Sequence, residues 1–307
     1  THSLVFALFR RFIHNCYEEA FYDKRAGVIG IKTLIEIGIS AKFLKRSQFE
    51  LIDGLLFVLK DTPSETPADI TESAEELLLQ VLRTTLSDVN ELNSKISQNT
   101  ITDIVCELSN RKAKVRQACQ RCLAVISEAT NVPIVNLMEH SKHFLLSPIF
   151  AKPLRALPFA MQIGNVDAVT YCLGLPNTFL NFNEELYRLL QEAIVLADAE
   201  DESLSSLQRA TEYRTSEQLV QLRVSCIKLL AFALKNEEFA AAQQGNIRFR
   251  ILAVFFKTML KTSPEIIDTT YHALEGVLAE NSRLPKELLQ NGLSLIHISE
   301  PTRHAQI

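Results

Sequence analysis

The 307-residue sequence predicts an all-α protein, an α-solenoid of stacked helix pairs interrupted by one irregular Pro/Gly-rich insertion over residues 147–182. Three observations carry that prediction. Leu, Ala, Glu and Gln are plentiful while glycine occurs only 9 times, so helix formers dominate. Few segments alternate with period two, as half-buried strands would. Amphipathic segments follow one another in pairs joined by short polar links, and pairs recurring about every 40–47 residues mark solenoids.

The elements follow in order. "HSLVFALFRRFIHNC" opens as one amphipathic helix, and "KRAGVIGIKTLIEIGI" is the next. Residues 40–60 read as a single further helix. Pro63 and Pro67 then break the pattern. Ser73 and Glu76 have the spacing of a capping box that would start "AEELLLQVLRTTL". A polar stretch over 87–99 precedes the pair "TITDIVCELSN" and "RKAKVRQACQRCLAVISEATN". Pro133 sits at the start of "PIVNLMEHSKHFLL", where a helix tolerates it. Pro148, Pro153, Pro158 and Pro176, with Gly164 and Gly174, predict short turns and irregular chain across 147–182. Helices resume at "NEELYRLLQEAIVLADAE". After the acidic stretch "DAEDESLSS" come "SEQLVQLRVSCIKLLAFALKN", "IRFRILAVFFKTMLK" and "SPEIIDTTYHALEGVLAEN".

A weak internal repeat supports the paired architecture. "VRQACQRCLAVI" and "LRVSCIKLLAFA" align Arg116 with Arg223, Ala118 with Ser225, Arg121 with Lys228 and Leu123 with Leu230. Small and large apolar residues recur at the same offsets, with a basic residue on the edge. That pattern resembles the second helix of a HEAT repeat, so the pairs are expected to be HEAT-like.

Two glycines, Gly27 and Gly30, lie inside a predicted helix, where each costs about 0.8–1.0 kcal/mol relative to alanine. They are three apart and share one face. A face without side chains predicts a close neighbouring helix, and Gly30→Leu is expected to overpack it.

Charge and motifs exclude several function classes. Lys plus Arg total 32 against 36 Asp plus Glu, so no broad electrostatic grip on nucleic acid or anionic membrane is expected. No apolar run reaches the ~18 residues of a membrane span. The six cysteines, Cys16, Cys106, Cys119, Cys122, Cys172 and Cys226, are scattered in apolar helical contexts and read as free thiols. Cys119 and Cys122 form C-x-x-C, but no further ligands stand at zinc spacing, so they read as packing residues. His140 and His143 form H-x-x-H with no third ligand and read as a polar face. "RKAKVRQACQR", with Arg111, Lys112, Lys114, Arg116 and Arg121, has no interleaved aromatics and reads as a solvated helix edge. Ser203 lies in an acidic run that reads as a solvated loop. No phosphate loop, dinucleotide fingerprint or nucleophile elbow is present, so neither an enzyme nor a cofactor is expected, and no binding residue is assigned. A HEAT-type transport or assembly adaptor is the alternative class. It would favour regular repeats with recurrent Trp, which this chain lacks.

One segment carries a family likeness. "CYEEAFYDKRAGVIGIKTLIE" resembles a stretch of the TRRAP family (transformation/transcription domain-associated protein and its fungal orthologues), matching at Cys16, Tyr17, Tyr22, Lys24, Gly27, Ile31 and Lys32. Phe21 stands where the family has Trp, and Ala26 replaces a Gly. Further likenesses run in family order from about residue 3 to 292, including Gln162, Ile163 and Gly164. The resemblance implies a fragment of a giant nuclear scaffold. Its relatives continue into a FAT domain and a kinase-like domain without catalytic residues. It further implies protein partners: transcription activators, other subunits of SAGA-like histone acetyltransferase complexes, and the rest of the same chain. Sequence-specific nucleic-acid binding and membrane contact are not implied. The chain opens in mid-pattern at Thr1, as a piece of something longer would. Its last stretch, residues 293–307, departs from the family pattern: "LSLIHISEPTR" reads as a translated transposase sequencing adapter and is expected to be non-native.

Overall fold

A computed structural model describes residues 2–63, 66–176, 179–199, 212–236, 239, 245–260 and 263–280. Among them the regular structure is helical throughout, and no strand occurs. The chain divides into two compact units, Thr1–Ile149 and Phe150–Ile307.

The first unit is built from α1 (His2–Asn15), α2 (Phe21–Glu36), α3 (Ala41–Arg46), α4 (Gln48–Asp61), α5 (Asp69–Thr85), α6 (Lys95–Cys106), α7 (Ala113–Thr130), α8 (Ile134–Glu139) and α9 (Lys142–Phe150), the last ending at the unit boundary. α1 packs on α2, α4 on α5 and α6 on α7. α1, α4 and α6 stack side by side as one layer, and α2, α5 and α7 as the other. The first-layer helices start at His2, Gln48 and Lys95, close to the period read from the sequence. These are HEAT-like stacked pairs. Between the layers lie fully buried apolar residues such as Leu51, Leu55, Leu78, Leu82, Ile104 and Leu123. Ion pairs tie one repeat to the next: Lys45 to Glu91 at 2.6 Å and Lys60 to Glu107 at 2.9 Å. Such partly exposed pairs are worth only about 0–1 kcal/mol each, so the apolar interlayer carries the stability.

The second unit contains α10 (Phe159–Leu173), α11 (Glu184–Asp198), α12 (Glu212–Lys235), α13 (Gly245–Thr258) and α14 (Pro264–Glu280). α10, α12 and α14 are successive neighbours, α11 packs on α12, and α13 lies beside α11 and on α14. The α11 side chains also anchor the incoming chain. Arg188 donates to the Phe150 carbonyl, and the Leu154 N–H donates to Glu192 at 2.6 Å.

Local expectations are corrected at several points. The single helix over 40–60 is two, α3 and α4, broken at Ser47. The capping box at Ser73 is not used, because α5 already starts at Asp69 and Ser73 lies within its second turn. The polar stretch 87–99 holds a 3-10 turn, Val89–Asn93, and the start of α6, capped where Ser94 Oγ accepts from Ser97 N at 3.1 Å. The largest departure lies in 147–182, which contains the regular 15-residue α10. Pro153 and Pro158 stand at helix starts, whereas Pro148 lies inside α9. Pro158 occupies the N-cap position of α10, where no intrahelical N–H is lost, and Gly174 caps its end. Gly164 sits buried among Gln162, Ile163 and Asn165. The tail 293–307 lies outside the described residues.

Candidate functional site

The family-like segment forms the joint between the first helix pair and α4. Cys16 is fully buried, with its thiol 3.5 Å from the Phe12 carbonyl. Burial pushes that thiol up to about 12, with Lys24 opposing the shift. The Tyr17 hydroxyl donates to Asp53 of α4 at 2.7 Å; burial, then the Asp53 carboxylate, holds its proton well above the usual phenol range. Lys24 is 2% exposed, and its ammonium meets Asp61 at 2.6 Å and donates to the Glu18 carbonyl. The Phe57 ring lies 5.7 Å from the same ammonium and 5.2 Å from the Tyr17 ring. A buried cation survives here because a carboxylate and backbone oxygens replace its water.

Gly27 and Gly30 explain themselves at this joint. A Cβ on Gly27 would stand 2.7 Å from the Phe12 backbone oxygen, and one on Gly30 would stand 2.5 Å from the Phe12 ring. The glycine face therefore admits α1, as their spacing predicts. Ile31 is fully buried beside them, whereas Tyr22 is exposed and Lys32 half-buried. Five of the seven family-like residues thus hold the joint together, and the motif is structural.

The other singled-out residues separate by burial. Cys119 and Cys122 are fully buried in α7; burial raises Cys119 well above the usual thiol value and Cys122 to about 12. A thiol held protonated is neither a nucleophile nor a metal ligand. His140 and His143 are exposed and stand at the ends of different short helices, α8 and α9. Within the basic run, Arg111 and Lys114 are exposed, but Lys112 Nζ donates to the Thr62 carbonyl at 2.8 Å and Arg121 pairs with Glu75 of α5. With Arg116, three of the five basic residues in that run are therefore engaged by partners within the fold. Ser203 lies outside the described residues.

The internal repeat has a physical meaning. Arg116 and Arg223 are both buried, and each donates to a main-chain carbonyl of a preceding connection: Asn110 at 2.8 Å and Ala199 respectively. Cys119 and Cys226 follow three residues later, both with no exposure, while Arg121 and Lys228 face solvent. Each buried arginine thus holds a carbonyl of the connection between the preceding helix and its own.

Two surface grooves occur among the described residues. In the first unit, α6, α8 and the 89–93 turn enclose about 240 Å³ lined by Leu92, Ile101, Leu137, Asn136 and His140. In the second, α11 and α13 enclose about 290 Å³, with Ile194, Val195, Ala253 and Val254 as its floor and Asp198, Arg250 and Lys257 at its edge. Lys257 Nζ reaches Asp198 Oδ2 at 3.0 Å across it. The sequence reading passed over these residues; the available signal was that 245–258 carries Arg248, Arg250 and Lys257 but no carboxylate. Among the described residues no helix is long and apolar enough to cross a membrane, and no cluster of three or more His, Cys, Asp or Glu could hold a metal.

Comparisons with known proteins agree with this scaffold. Residues 1–303 match the family model described as the Tra1 HEAT repeat ring region. The chain is 69% identical over 306 residues to the SAGA complex/NuA4 acetyltransferase complex subunit TRA1 of Saccharomyces cerevisiae, covering 98% of this chain and 8% of that protein. It is 36% identical over 289 residues to Tra1 of Schizosaccharomyces pombe, covering 92% of this chain and 8% of that one. The human transformation/transcription domain-associated protein is 28% identical over 265 residues, with 82% and 7% covered. The chain therefore spans less than a tenth of the length of these relatives.

Proposed function

The chain belongs to the Tra1 HEAT repeat ring family, and on that premise we propose that it is a scaffold segment of a nuclear SAGA/NuA4-type coactivator, docking transcription activators and so recruiting histone acetylation. The segment is a HEAT-repeat scaffold region, not a kinase domain. The observation that carries the proposal is the 69% identity to a SAGA/NuA4 subunit over 98% of the chain. The layered helices are consistent with it: they offer grooves between helices, which suits presentation of surface to partners. The transport-adaptor alternative has no counterpart among these relatives, whose names describe acetyltransferase-complex or transcription-associated proteins.

The test is purification of the full-length protein through an affinity tag. Histone acetyltransferase activity should co-purify, and an activator bound upstream should raise acetylation of a nucleosomal template. Pure, folded protein with no associated acetyltransferase activity would overturn the assignment.

A further inference from the structure

The outer face of the first helix pair is chemically unlike the end of a solenoid. Terminal repeats carry a polar outer face, because a stack that stops there has to be soluble. α1 turns Ile13 and Arg10 towards α4, where Ile13 lies beside Gly54 and Arg10 pairs with Glu50 at 3.7 Å. Its opposite face carries Leu4, Leu8 and Arg11 at i, i+4 and i+7, all exposed, Leu4 by 67%. α2 turns Val28 and Ile31 inwards and pairs Arg25 with Asp69 of α5 at 3.5 Å. Tyr22, Ile29 and Ile37 form its outer stripe, with Ala26 and Thr33 between them, and Tyr22 and Ile37 are exposed by 78% and 77%. The two helices run antiparallel, with Gly27 beside Asn15 and Gly30 beside Phe12, so the same register carries Ile37 alongside Leu4 and Val5. The two stripes therefore join into one apolar surface.

The seams between existing pairs show what such a face receives. Each has an apolar centre flanked by ion pairs: Arg10–Glu50 and Arg25–Asp69 at the first, Lys60–Glu107 and Arg121–Glu75 at the second. The outer face of α1 and α2 repeats that composition. Glu36 stands beside its apolar stripe on α2 and Arg11 on α1, both exposed and both without an ion-pair partner among the described residues. It has the make-up of half a seam.

Length and tethering identify the occupant. The matched segment is 8% of the Saccharomyces cerevisiae relative, so more than nine tenths of such a chain lies outside it. A helix pair joined to α1 by a short link acts at an effective concentration of about millimolar, which a separate protein rarely matches.

We propose that the α1–α2 outer face seats a further helix pair of the same polypeptide, from residues that precede Thr1 in the full-length protein. Its apolar side chains lie on Leu4, Leu8, Ile29 and Ile37, a Lys or Arg faces Glu36, and a carboxylate faces Arg11. The coactivator assignment and this seam stand or fall separately.

The test uses the full-length protein with a photo-cross-linking benzoylphenylalanine in place of Ile37, prepared as a mixture of unlabelled and heavy-nitrogen-labelled chains. Mass mapping should place the cross-link within one chain, on a helical segment one repeat, about 40–47 residues, before Thr1. That segment should carry a Lys or Arg within a turn of the linked residue. Ile29→Glu supplies a second reading. On an open surface it would change exchange of the α2 amides by no more than about twofold. Beneath a packed helix it buries an unpaired charge and should speed that exchange about tenfold or more. Cross-links that mix the labels, reach another subunit or stay within residues 1–307 would overturn the proposal. So would a linked segment without Lys or Arg, or α2 exchange left unchanged by Ile29→Glu.

Discussion

Replacing Gly27 by alanine sets two known effects against each other. In an unconstrained helix the change gains about 0.8–1.0 kcal/mol of propensity. Here the added Cβ would stand 2.7 Å from the Phe12 carbonyl oxygen and 3.1 Å from Cys16 N. Both are backbone atoms of the α1 end, so relief requires α1 to move as a body, against the buried contacts of Phe9 and Ile13. Overpacking of that kind costs about 1–3 kcal/mol, so the net effect is a loss centred near 1 kcal/mol within a span of about 0–2 kcal/mol. Gly30→Ala differs in kind. Its Cβ meets only the ring of half-buried Phe12, which can turn aside, and the net change should lie near zero. Gly30→Leu fills the space the ring would turn into and should cost about 1–3 kcal/mol. Urea and thermal unfolding of the 307-residue chain, with amide exchange of α1 as the local probe, would read the order. At about 2–4 °C per kcal/mol for chains of a few hundred residues, Gly27→Ala should melt visibly below Gly30→Ala. A Gly27→Ala protein that melts higher than the parent, as a solvent-facing helical glycine would, refutes the close-approach argument.

Other outcomes follow from the same contacts. Lys24→Ala should cost about 2–4 kcal/mol in urea midpoint analysis, because it strands the Glu18 carbonyl and leaves a cavity, whereas Lys24→Met should cost less by filling the space. Arg116→Ala and Arg223→Ala should each lose about 1.5–3 kcal/mol, the range for a charged donor on a buried carbonyl, and Arg121→Ala on the exposed edge under about 1 kcal/mol. Thiol titration at neutral pH should label half-buried Cys106 before Cys16, Cys119, Cys122 or Cys226. The unfolded thiols ionise near 9.0 while Cys16 and Cys122 keep their protons to about 12, so stability present below pH 9 should fall progressively towards pH 12 in alkaline unfolding curves. Transcript sequencing across Gly292 should show residues 293–307 replaced by other coding sequence, although the family match extends to residue 303; native codons for this stretch would overturn the adapter reading.

Much of the fold was legible because its signals are local. Helix periodicity located most elements, and the offset between "VRQACQRCLAVI" and "LRVSCIKLLAFA" marked two helices with matching burial. The failures came where a local signal had a non-local answer. Proline near 148–158 reads as disruption until Pro158 is seen at a helix start. Nothing near Lys24 in the sequence announces its partner Asp61, 37 positions away, and Tyr17 gives no hint of Asp53. The α11–α13 groove was illegible for the same reason: Val195 and Arg250 come from separate helices, and only the absence of carboxylates over 245–258 pointed to it.

The scaffold claim is tested most directly by exchange. Residues 1–292 would replace the corresponding segment of the Saccharomyces cerevisiae TRA1 subunit, and the acetyltransferase assemblies would then be purified and assayed on nucleosomes. The account predicts a chimaera that enters the complexes and retains activator-stimulated acetylation. A chimaera that folds and accumulates, yet is left outside every acetyltransferase complex, would contradict it.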